Sequence, residues 1–338
     1  MGSDSWAADA HVDLLLEVAW RRERGEPNPF REHWLTQLDA GGVRLQVCPI
    51  YIEGDLVPDG ALRGAMQLAG AFHDAVRENA DRVTQVRSAS DLDDGRTGLV
   101  LAIEGAEPLG SSPELIDAFW ALGVRMFGLT WARRNAFADG SGEPNAGGLS
   151  AIGRELVDRL VALGCAIDLA HASGRTFEDV LDRTGDEAAL IVSHTCCRAL
   201  NDITRNTSDD QLRAISERDG VVGIMALPRA VDPERPVLER YVDHVEHALE
   251  VAGAEHVCVG GDFMAQLVRS GCATITPREA ATLPPGLDLG QPVAGLEGPA
   301  DYPALADALR ARGHHDATVA AVLHGNLLRF LRRALPSA

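Results

Sequence analysis

The chain contains no lysine; all 31 of its basic residues are arginine. That excludes a Schiff-base lysine, a phosphate-loop lysine and the carboxylated lysine that bridges metals in some hydrolases. Any bridging ligand must therefore be an aspartate or a glutamate. Positive charge is scarce overall, with 50 acidic residues and a formal net charge of −19. Such a field repels phosphate backbones, and no dense basic block offsets it, so nucleic acid is excluded as a partner. No apolar run approaches the span of a bilayer, and the first residues lack the basic-then-apolar pattern of a secretory leader. The expectation is a soluble, cytoplasmic chain with no membrane partner. The six cysteines have no even spacing, and two of them, Cys196 and Cys197, are adjacent. They form neither a disulfide framework nor a CxxC metal knuckle, and reduced, buried thiols are expected.

What is present is ordinary globular material: 46% apolar and 24% charged residues over 338 positions, enough for a sizeable core. Apolar runs of strand length recur at 7–11, 44–52, 98–104, 124–131, 165–171, 190–194, 220–227 and 256–262. Helical apolar spacing fills 61–80, 112–123, 150–163, 174–184, 208–218 and 236–252, and returns at 301–312 and 316–333. Strands alternating with helices give a parallel sheet, and eight such strands favour a closed (β/α)8 barrel. The predicted organisation is one barrel domain over residues 1–338. The Gly- and Pro-rich stretch 266–300 is read as a long loop after the eighth strand, lying over the pocket.

In such a barrel, catalytic groups sit where strands end at the C-terminal face. The first run ends AHVD, the third IEG, the fifth DLAH, the sixth VSH and the eighth GGD. These endings aim His11, Asp13, Glu104, His171, His194 and Asp262 at one mouth. His11 and Asp13, two apart in an extended strand, share a face and can bind one ion. Taken alone, a His-x-Asp pair is more often a surface hydrogen-bonded pair. Glu104 ends a run buried on both faces, where a carboxylate is costly unless paired or metal-bound. With no lysine available it is the natural bridge between two ions, the alternative being a cap on the next turn. His171 and His194 lie one βα unit apart and should be neighbours in the wall, suited to a second zinc-like ion. Asp262 could take a proton from a metal-bound water, or could instead orient a ligand histidine. The remaining histidines fall on helices or loops, where solvated or capping roles suffice.

At these residues the sequence resembles the membrane dipeptidase (renal dipeptidase) family of zinc peptidases, among the amidohydrolase-like barrels. AHVD, IEG, DLAH and VSH resemble the metal motifs, and ALNDITRN resembles the segment with the carboxylate-binding arginine. GVVGI, GGDF and the C-terminal HGNLLRFL, with Gly325, Asn326 and Arg329, resemble further landmarks. The resemblance implies two zinc ions, one on His11, Asp13 and Glu104, the other on Glu104, His171 and His194. It implies Arg205 as the binder of the substrate's C-terminal carboxylate and Asp262 as general base and then acid. It also implies a homodimer. Two positions depart from the family pattern. Trp131, in LTW, stands where renal-type members have a histidine that contacts the scissile carbonyl. Asp262, Phe263, Met264 and Ala265 replace the family's Asp-Phe-Asp-Gly.

The activity so implied is hydrolysis of a dipeptide by a hydroxide bridging two zinc ions. Two rivals remain open at this stage. One is a binuclear hydrolase of another amide, such as an N-acyl amino acid, a lactam or a biosynthetic intermediate. The other is a metal- or ligand-binding relative without turnover.

Overall fold

The computed structural model describes residues 6–273, 277 and 290–337. Nine strands run in the order β1 (Ala7–Asp9), β2 (Val43–Tyr51), β3 (Val83–Gln85), β4 (Thr97–Glu104), β5 (Val124–Gly128), β6 (Ala166–Asp168), β7 (Leu190–Thr195), β8 (Val221–Ile224) and β9 (Val257–Val259). All pairings between them are parallel. β9 pairs with β1, β1 with β2 and β2 with β4, which closes eight strands into a (β/α)8 barrel. The eight are the runs expected from the sequence. The ninth, β3, was not expected: it adds to the N-terminal end of β4, pairing Val83 with Thr97.

Period-two alternation along the barrel strands sorts their side chains between two buried layers. Ala102, Met126, Ala166, Ile191 and Cys258 belong to one cluster together with Leu327, Phe330 and Leu331 of the last helix, Asn326–Ala334. Their neighbours along the strands, such as Leu101, Phe127, Ile167 and Val192, pack in the other cluster with the surrounding helices. The last helix is tied to the residues that precede β8 and β9. Asn326 donates to the carbonyls of Ala254 and Val257 at 2.8 and 2.7 Å, and Arg329 donates to Glu255 O at 2.8 Å and to the Asp219 carboxylate. The phrase HGNLLRFL therefore seals the N-terminal mouth of the barrel and leaves the C-terminal mouth to chemistry.

The stretch 266–300 corrects the loop reading in part. The helix Met264–Ser270 takes its first residues, and residues 274–276 and 278–289 lie outside those described. All six cysteines are free and buried. Among the described residues no helix is long and apolar enough to cross a membrane.

Candidate metal centre

The candidate metal ligands, Asp262 and Trp131 lie at or just beyond the C-terminal ends of barrel strands, and Arg205 lies further along the loop after β7. Glu104 is the last residue of β4, in register with Tyr51 of β2 and Gly128 of β5. It continues the row of Val100 and Ala102, so its carboxylate sits at the top of the barrel interior. β1 stops at Asp9, so His11 and Asp13 do not share the face of an extended strand as their spacing suggested. The chain turns there, and Asp13 occupies the N-cap position of the helix Leu14–Glu23 without making a side-chain cap bond. An aspartate at that position ordinarily accepts a helix N–H; here its carboxylate points to His11, with Oδ2 3.6 Å from Nε2.

β7 reaches the site through an irregularity. Its register against β8 shifts between Val192 and Thr195, and within that shift His194 turns to the barrel mouth, as bulges beside active sites do. The Ser193 carbonyl presses on the neighbouring strands so closely that a Cβ at Gly223 would meet it at 2.0 Å and one at Gly260 at 1.9 Å. His171 and Asp262, each three residues past a strand, have φ of 62° and 49°. Left-handed backbone at a non-glycine residue costs energy that the surrounding structure must impose, and such positions gather at functional sites. Ser173 then caps the helix Gly174–Arg183 by accepting from Thr176 N, which fixes the turn behind His171.

These side chains converge on Glu104. Its Oε2 lies 3.8 Å from His11 Nε2, while Oε1 lies 2.9 Å from His171 Nε2 and 3.4 Å from His194 Nε2. The two histidine nitrogens are 2.9 Å apart, and Arg205 Nη2 approaches His171 Nε2 at 3.1 Å. The His11 and His194 rings stack with centroids 3.6 Å apart. Potential ligand atoms fall into the groups Glu104–His171–His194, His11–Asp13–Asp262 and His11–Asp168–His194. In the third group Asp168 is already engaged: it accepts from Ala170 N, Ser193 N and Ser193 Oγ.

The electrostatics are those of a cation site. Burial works against protonating His11, but the carboxylates of Glu104, Asp13 and Asp262 outweigh it and push that imidazole up to about 10. Burial, reinforced by the Asp13 charge, raises Glu104 well above the ordinary carboxylate range, and it raises Asp262 for the same reasons. Burial holds His171 and His194 well below the usual imidazole value, with Arg205 and His11 adding to the effect. A divalent ion fits this set on two counts. Both ring nitrogens of His11, Asp13 Oδ1 and His171 Nδ1 are buried without a hydrogen-bond partner among the described residues, a costly state for polar atoms. In addition, a single imidazole nitrogen carries one proton or one lone pair, so His171 Nε2 cannot satisfy Glu104, His194 and Arg205 together. A cation among these donors resolves the conflict.

The model of the membrane dipeptidase family (peptidase family M19) matches residues 3–273. The chain belongs to that family. This family member is 29% identical over 310 residues to a protein of Clonostachys rogersoniana described as dipeptidase verJ, across 88% of this chain and 74% of that one. A solved structure described as dipeptidase AC, a metallo-peptidase of family M19, superposes with a TM-score of 0.81 at 25% identity, covering 98% of this chain and 99% of that one. A metallo-peptidase of Rhodobacter sphaeroides, solved with a phosphinate mimic of the dipeptide L-Ala-D-Ala, shares the fold. Its TM-score is 0.82 at 24% identity, with 98% and 100% coverage.

Around the metal-type cluster the chain places the other expected residues of this membrane dipeptidase family member. Arg205, in the loop after β7, is buried and also donates through Nη2 to His194 O at 3.0 Å. Trp131, three residues past β5, has its ring centroid 5.8 Å from that of His171 and 5.4 Å from that of Tyr51. The Arg133 guanidinium lies 5.2 Å from its centroid. Sequence reasoning missed Asp9 and Asp168, which hold the backbone of the site. Asp9 accepts from His11 N at 3.0 Å, Gly261 N at 2.8 Å and Tyr302 Oη at 2.5 Å. The signal was there to read: each aspartate ends a strand two or three residues before a ligand-type histidine. His244, assigned to a solvated or capping role, is instead fully buried, accepting from Cys197 N and bonded to Val231 O.

Proposed function

We propose that the chain is a dipeptidase that uses two zinc ions to hydrolyse the peptide bond of small dipeptides. The observation that carries this reading is the division of Glu104 between two sets of ligands: Oε2 faces His11 and Oε1 faces His171 and His194. One ion would be held by His11, Asp13 and Glu104, the other by Glu104, His171 and His194. When bound, the zinc ions would supply Lewis-acid chemistry, making a water more acidic and polarising the scissile carbonyl.

The remaining groups act on the substrate. Asp262, beside His11 and Asp13, takes the proton of the attacking water and delivers it to the leaving amine. Arg205 offers its guanidinium to the free carboxylate of the dipeptide and thereby limits substrate length. Trp131 walls the side of the pocket next to His171. The family membership and the dipeptidase names of its relatives support the substrate class. Elemental analysis of purified protein combined with hydrolysis of a dipeptide panel tests the reading. Two zinc ions per chain and chelator-sensitive turnover are expected. Full turnover by metal-free protein overturns the mechanism, and turnover of acylated amino acids or lactams in place of dipeptides overturns the substrate.

A further inference from the structure

We infer that Asp168 and Ser193 are positioning residues that, as a relay, set the tautomer of His194, keeping the proton on Nδ1 and presenting Nε2 to Glu104 as a lone pair. The inference rests on the reading that His194 holds a divalent ion. The geometry is a chain of three buried groups. Asp168 Oδ1 accepts from Ala170 N at 3.0 Å and from Ser193 N at 2.9 Å. Its Oδ2 lies 2.5 Å from Ser193 Oγ, which lies 2.7 Å from His194 Nδ1.

A serine hydroxyl has one proton and a carboxylate has none to give. The Ser193 proton therefore goes to Asp168, and the Oγ lone pair faces His194 Nδ1. That nitrogen must then carry the ring proton, which leaves Nε2 free on the side of Glu104 and His171. Ligand imidazoles are commonly fixed in this way by a carboxylate or carbonyl on the far nitrogen; here a hydroxyl is inserted between the two. The relay is specific to His194. Among the described residues neither ring nitrogen of His11 has a hydrogen-bond partner, and His171 Nδ1 has none. The first strand repeats the carboxylate half of the device, with Asp9 accepting from His11 N, Gly261 N and the Tyr302 hydroxyl, but there the hydroxyl fixes no ring nitrogen of His11.

The test reads tautomer and metal separately. In metal-free protein labelled with 15N-histidine, long-range 1H–15N spectra should show His194 as the Nδ1–H tautomer. Asp168→Asn should invert it: the amide oxygen keeps the two backbone N–H bonds, its NH2 donates to Ser193 Oγ, and the hydroxyl proton turns to His194 Nδ1. A merely structural role for Asp168 produces no such inversion. Zinc alone, titrated against a chromophoric chelator, should bind one of two sites roughly 10–100-fold more weakly in Asp168→Asn and Ser193→Ala, with Ser193→Thr restoring affinity. Melting temperatures identify any variant that fails to fold, and the wild-type spectrum stands without variants. An Nε2–H tautomer in wild type, or a tautomer and zinc affinity unchanged in both folded variants, overturns the inference. Wild type that shows the Nδ1–H tautomer but binds no zinc overturns the metal reading instead.

Discussion

Glu104 Oε1 and His171 Nε2 are 2.9 Å apart, although one residue ends β4 and the other lies beyond β6. The other oxygen of the same carboxylate faces His11, beyond β1. One side chain thus faces candidate ligands from both halves of the barrel, so its replacement should act on both proposed ions. In Glu104→Gln a neutral amide bridges poorly and leaves two cations facing each other. Loss of both zinc ions is expected, against loss of mainly one in His194→Ala. Metal content measured on the two variants decides it, and the same single-ion loss in both would show that Glu104 is not the bridge.

Gly260 and Gly223 are where the barrel wall gives way to the bulge that carries His194. A Cβ at Gly260 would stand 1.9 Å from Ser193 O, and the obstructing atom is backbone, which cannot rotate aside. Overpacking of this kind costs roughly 1–3 kcal/mol, and occasionally more. Gly260→Ala should lower the melting temperature and, by displacing residues 193–194, reduce zinc occupancy in whatever fraction remains folded. A variant with wild-type stability and zinc content would show that the bulge does not depend on that close approach.

The barrel was legible because its strands are apolar runs alternating with helical spacing, and five of the eight close on a polar, metal-competent residue, as in LVLAIE and LIVSH. The site was legible for the same reason, down to the pairing of His171 with His194. What sequence could not carry was the backbone. His11 and Asp13 meet through a turn and an unused helix cap, whereas an extended strand was expected. The positive φ of His171 and Asp262 is imposed by packing, and no residue preference announces it. Asp9 and Asp168 stand at a readable spacing before a ligand-type histidine, but the main-chain N–H groups they accept from are brought to them only by the fold. The helix Met264–Ser270 is followed in the sequence by a Gly- and Pro-rich stretch that obscures its short period. His244 looked like any helical surface histidine because its two partners, Cys197 N and Val231 O at the end of the helix Pro228–Val231, come from other elements.

Arg205 sits against the candidate ligands, its Nη2 reaching His171 Nε2 and His194 O. If its task is the substrate carboxylate, Arg205→Ala should raise KM for free dipeptides far more than for C-terminally amidated ones, because only the former present the anion. Steady-state kinetics on matched pairs separate this from a supporting role. An equal loss on both substrates, with zinc content reduced, would assign Arg205 to holding His171 and His194.

Trp131 marks the point where this chain leaves the renal-type pattern. A histidine there could donate to the developing oxyanion, whereas an indole has only its Nε1–H and cannot become a cation. Its ring is held between Tyr51, His171 and the Arg133 guanidinium, with centroid distances of 5.4, 5.8 and 5.2 Å. That packing suits a wall that selects among side chains, and the two ions proposed beside it already offer charge to the oxyanion. Trp131→Phe should therefore keep kcat on good substrates and change which side chains are accepted. Were the indole N–H an oxyanion donor, its loss would cost roughly 3 kcal/mol, or on the order of a hundredfold in kcat. Measuring kcat and KM for Trp131→Phe and Trp131→His across a dipeptide panel distinguishes the two. A hundredfold fall in kcat on every substrate for the Phe variant, recovered by His, would make Trp131 part of the catalytic machinery.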